Sequence, residues 1–106
     1  MGTLPFRFEP ALPPDPAATP ALYHVSFVAA PNDEERAVLE ARISAALRAA
    51  STPLAAPLAW DGACARLHLA ALAADHERIF CAVSDALAAI HEHCPVTALR
   101  GPGPTG

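Results

Sequence analysis

A chain of 106 residues with a formal net charge of −4 is the size of one small domain. Its 53% hydrophobic content includes 26 alanines, and Leu, Ile, Val and Phe number only 24, so a core is possible but thin. The seven basic residues are all arginines, scattered at 7, 36, 42, 48, 66, 78 and 100, which argues against the clustered cations that hold nucleic acid or an anionic membrane surface.

No apolar run reaches the roughly 18 residues of a membrane span. The first residues carry no basic segment leading into an apolar one, and prolines interrupt them, so export is not expected. Cys64, Cys81 and Cys94 are an odd number for a disulfide framework and read as reduced thiols of a cytoplasmic protein.

Residues 1–20 hold six of the twelve prolines, which forbid a helix or a central strand there. This proline-rich N-terminal arm reads as a flexible leader, or as an extended segment that lays Phe6, Phe8 and Leu12 on its own fold or on a partner. A single α+β domain follows over 21–100. Its first strand is marked by Tyr23, Val25 and Phe27 alternating with His24 and Ser26.

Asn32, with Glu35 three residues on, starts a helix that runs to about Ala50. Leu39, Ile43, Ala46, Leu47 and Ala50 fall on its apolar face. Leu54 to Trp60 reads as an edge strand because of Pro57. Asp61-Gly62 suggests a type I′ turn into a returning strand, Cys64 to Leu69, in which Leu67 and Leu69 alternate with Arg66 and His68. Asp75 is placed to cap a second helix, which runs to about His93 with Phe80, Val83, Leu87 and Ile90 inward. Pro95 stops it, Val96 to Arg100 supply a last short strand, and 101–106 read as a flexible C-terminal tail.

This β-α-β-β-α-β order resembles the ferredoxin-like plait, a superfold rather than a family. The resemblance implies an antiparallel four-stranded sheet of order 4-1-3-2 with both helices on one face. The topology is shared with acylphosphatases, but the segment after the first strand, Ala29-Ala30-Pro31-Asn32, has none of their Gly-Arg phosphate loop.

The alternation has a functional consequence. With the helices over Tyr23, Val25, Phe27, Leu67 and Leu69, the side chains of His24, Ser26, Arg66 and His68 share the uncovered face. Trp60, on the edge strand, serves either as an interface anchor or to close the core. The expectation is a non-catalytic interaction module, using His24, Ser26, Arg66, His68 and Trp60 to bind a protein partner or a second copy of itself as a homodimer.

The contrasting expectation is a small-ligand or metal-binding domain, an enzyme subunit among its forms, that uses the histidines. An arginine and two imidazoles can hold a carboxylate or phosphate. His91, His93 and Cys94 offer metal-ligand types. In a helix, however, His91 and His93 diverge by about 200°, and neither CxxC nor HExxH is present. Ser26 and His24 share a face but lack an acid to complete a triad, so no catalytic residue, cofactor or metal is assigned.

Overall fold

The structure is a computed structural model that describes residues 4–104. It is an α+β fold in which two helices pack on a mixed five-stranded sheet. The strands are β1 (Arg7–Pro10), β2 (Pro20–Phe27), β3 (Ala59–Asp61), β4 (Cys64–Leu72) and β5 (Val96–Gly101). The helices are α1 (Asp33–Ala49) and α2 (His76–Ile90), and the sheet order is β1-β5-β2-β4-β3. The four strands expected from the sequence keep the expected relative order. The expectation of a purely antiparallel four-stranded sheet is corrected, because β1 adds a fifth strand parallel to β5.

Burial follows the period-2 alternation. Ala21, Tyr23, Val25 and Phe27 of β2, Ala65, Leu67 and Leu69 of β4, and Leu99 of β5 are buried in one core with Leu39, Ile43 and Leu47 of α1 and Ile79, Val83, Leu87 and Ile90 of α2. Both helices therefore cover the same face of the sheet.

The start of α1 is a full capping box: Glu35 N–H donates to Asn32 Oδ1 at 2.8 Å and Asn32 N–H to Glu35 Oε1 at 2.9 Å. The helix ends in a Schellman arrangement, with Ser51 N–H on Arg48 O at 3.1 Å and Thr52 N–H on Leu47 O at 2.9 Å. That geometry places Ser51 at φ 62°, a conformation better suited to glycine. Ala46 and Ala50, expected on the buried face, are exposed, because only the Leu39–Ile43–Leu47 stripe meets the sheet.

Three local expectations change. The 54–60 segment is not one strand: Leu54 forms an isolated bridge to Leu69 and pairing resumes only at Ala59. Between them the Leu58 N–H turns away to the Glu40 carboxylate. The hairpin loop is Gly62-Ala63, one residue later than expected, and only Gly62 has positive φ (62°), so the type I′ requirement at both central positions is not met. Finally, Asp75 makes no side-chain cap. A 3₁₀ turn, Ala73–Asp75, precedes α2, and the helix ends at Ile90 rather than His93.

The arm belongs to the fold. β1 and the residue before it continue the alternation, with Phe6 buried and the Phe8 ring tilted against Phe80 at a centroid distance of 4.4 Å, while Arg7 and Glu9 point the other way. Its prolines are compatible with this because β1 is an edge. Beyond it, Ala11 N–H bonds to Gly101 O, and Thr19 and Pro16 carbonyls accept from Ala73 and Ala74.

The tail reading is corrected over its first three residues: Gly101 ends β5, and Pro102 and Gly103 are buried. Gly101 (φ 158°) lies against the Tyr23 ring and Gly103 against the Phe8 ring, so a side chain at either position meets an aromatic wall. The Tyr23 hydroxyl donates to Pro102 O. Burial, with Cys81 as a lesser cause, raises the tyrosine's pKa far above its ordinary value.

Candidate functional site

The sheet face opposite the helices has cross-strand rows fixed by register. His24 lies between Arg66 on β4 and Arg100 on β5, and Arg100 in turn pairs with Glu9 on β1. The next row is Arg7, Ala98, Ser26, Cys64 and Asp61. On the other side, His68 stands opposite Leu22. The structure therefore brings together four of the residues expected from the sequence, His24, Ser26, Arg66 and His68, on one uncovered face.

The electrostatics of this face are uneven. Arg7 is paired with Glu9 at 2.8 Å, whereas neither Arg66 nor Arg100 has an ion-pair partner among the described residues. His24 is held between two guanidinium groups. Its pKa is lowered by partial burial first, then by Arg100, Arg66 and His68, so the imidazole is biased towards its neutral form. Arg66 and Arg100 flank it from β4 and β5, one strand to either side, and neither is answered by an ion pair among the described residues. Guanidinium groups of this kind can hold a carboxylate or another oxyanion, and Glu9 stands opposite Arg100 in register.

Two depressions meet at His24 and Arg100. One, of about 460 Å³, lies between Arg7, Glu9, Ser26 and Thr97. The other, of about 360 Å³, is walled by the arm at Leu12 and Pro13 and floored by Leu22.

Ser26 Oγ is 3.7 Å from Cys64 Sγ, which places a hydroxyl and a thiol side by side, with Asp61 opposite Cys64 in the same row; among the described residues no carboxylate hydrogen-bonds to either of them.

Trp60 does not join this group. It pairs with Ala65, an inward-facing position of β4, so it lies on the helix side of the sheet. There it stacks on Phe27 at 5.7 Å, with the Arg36 guanidinium 5.2 Å from its ring centre. Arg36 also donates to Gly62 O at 3.3 Å, tying α1 to the β3–β4 hairpin. Trp60 closes the end of the core.

The His91 region is likewise occupied structurally. His91 Nδ1 accepts from Val96 N–H at 2.9 Å, a bond that carries the chain from α2 into β5. His93 is exposed, and Cys94 packs partly against the core with its thiol pKa raised by burial first and by Glu35 second. Among the described residues no group of three or more His, Cys, Asp or Glu side chains is arranged to hold a metal ion.

Sequence reasoning missed Arg100, Arg7 and Glu9. The signal was present: Arg100 follows the buried Leu99, and Arg7 and Glu9 alternate with Phe6 and Phe8. Among the described residues no helix is long and apolar enough to cross a membrane. Compared with known protein-family models, curated proteins and solved structures, the chain finds no match.

Proposed function

We propose that this chain is a non-catalytic interaction module: a ferredoxin-like plait, extended by one strand, that binds a protein partner with an acidic surface through its open sheet face. The observation that carries the reading is the Arg100–His24–Arg66 row, in which two arginines lack ion-pair partners among the described residues. The chain as a whole is acidic, and Asp33, Glu34 and Glu35 crowd the first turn of α1 on the other layer. A cationic face on an acidic body selects an acidic partner by charge complementarity. A second copy stacked face to face would set this row against itself, so charge favours a different partner over a homodimer.

The test uses the purified chain and a fluorescein-labelled twelve-residue peptide alternating Glu and Ala. Saturable one-to-one binding that weakens with added salt, and that is lost in the Arg66→Glu, Arg100→Glu double variant, is the expected result. Sedimentation should give a monomer. Absence of peptide binding, or a dimer that the double variant dissociates, overturns the acidic-partner reading.

A further inference from the structure

The arm creates a concave site at one end of the open face. After β1 the chain turns at Ala11, Leu12 and Pro13, is held by a turn in which Thr19 Oγ1 donates to Asp15 O at 2.7 Å, and re-enters the sheet at Pro20. The depression it encloses, about 360 Å³, has apolar walls at Leu12, Pro13, Pro20 and Pro102 and an apolar floor at Leu22. Arg100 and His24 stand together at its rim. The volume is at the small end of the range of ligand clefts.

Apolar walls with a guanidinium at the rim suit a single chemistry. A planar fork of N–H donors matches a carboxylate, which can take it in a bidentate manner. The walls suit a short hydrocarbon body. A phosphate is the poorer fit: it needs donors on several sides, and the strand amides beneath the site are largely committed to the sheet ladder.

We infer that the pocket between the arm and the β2–β5 pair binds a small aliphatic carboxylic acid, its carboxylate on Arg100 and its hydrocarbon body against Leu12 and Leu22. The site is confined to one end of the face, and the inference does not rest on docking of a protein partner. His24 and Thr19 are the other polar side chains that line the pocket, and His24 stands beside Arg100. It is faced by Arg66 and His68 from β4 and by Arg100 from β5, with Arg7 and Glu9 of β1 across the neighbouring depression. A bound carboxylate offsets those positive neighbours, so binding raises the pKa of His24, and binding strengthens as pH falls through the range in which His24 protonates.

The experiment titrates the full chain with 4-methylpentanoate and follows backbone amide and imidazole resonances by NMR. The expected result is saturable movement of the Leu12, Leu22, His24 and Arg100 signals and an upward shift of the His24 titration. Arg100→Gln should weaken binding by roughly tenfold or more. Leu12→Asp alters an exposed wall residue, keeps the core intact, and should weaken binding comparably by repulsion. Arg66→Gln, outside the pocket, should change affinity less than roughly threefold. The uncharged 4-methylpentanol should not bind detectably.

Three results overturn the inference: no saturable movement with 4-methylpentanoate; inorganic phosphate binding as tightly as the acid; or Arg66→Gln and Arg100→Gln weakening the acid equally, which would mark attraction to the face as a whole. Thermal melting of each variant separates loss of binding from loss of fold.

Discussion

The docking of the proline-rich arm is measurable through one aromatic pair. Phe8 on β1 and Phe80 on α2 are both half-buried, their ring centres 4.4 Å apart and their planes tilted by 55°. Truncating a fully buried Phe to Ala costs roughly 3–5 kcal/mol. At half that burial, Phe8→Ala should cost about 2 kcal/mol. For a domain of this size that lowers Tm by roughly 8–16 °C.

The tilted geometry adds a pairwise contribution of about 1 kcal/mol, recoverable from the double-mutant cycle with Phe80→Ala. The assay is urea unfolding followed by fluorescence of Trp60, which is partly buried against Phe27 and far in sequence from the mutated pair. Single costs under about 0.5 kcal/mol with no coupling are what an undocked leader gives, since surface changes stay in that range, and that result would refute the arm's place in the sheet.

Four further outcomes follow from the geometry. Tyr23→Phe removes the donor to the buried Pro102 carbonyl and should destabilise by about 1–3 kcal/mol in the same urea assay. Because burial raises the folded pKa of Tyr23, its contribution is fully present below the ordinary tyrosine value and is lost as pH rises beyond it. Alkaline unfolding should therefore be shallower in Tyr23→Phe than in the native chain.

His24 has the opposite sign. Its pKa is depressed, so its neutral form stabilises the fold above the ordinary histidine range and that contribution is lost as pH falls. Imidazole NMR titration should show it rising towards the ordinary value in Arg100→Gln. Ser51→Gly relieves a left-handed backbone at the end of α1 and should raise stability by up to about 1 kcal/mol, read as a higher urea midpoint; an unchanged or lower midpoint counts against strain there.

The strands and helices that carry alternation or a three-four spacing were readable from the sequence because burial on one side imposes those periods. Tyr23-Val25-Phe27 and Leu39-Ile43-Leu47 each announce the side they bury. His24, Ser26, Arg66 and His68 were placed on the open face by the same reasoning, as the complement of that pattern.

What escaped depends on long-range pairing. β1 is four residues with one aromatic side chain, too short to signal a strand locally, and it exists because β5 offers an unpaired edge some ninety positions away. The role of Gly101 and Gly103 depends on Tyr23 and Phe8 rings that no local window contains. Trp60 was ambiguous for a related reason. Its side of the sheet follows from the β3–β4 register, and that register was shifted by the hairpin turn falling at Gly62-Ala63.

The two margins of the sheet bear on how this protein can meet others. β1 is four residues long and finishes at Pro10; β3 is three residues long and follows Pro57. Each offers too short a run of backbone for another chain to zip onto, and prolines border both. Lateral growth of the ribbon into larger β-assemblies is thereby capped at both ends. For the partner proposed above, the broad face rather than a margin is the surface on offer, with the incoming chain lying across the strands instead of extending their ladder.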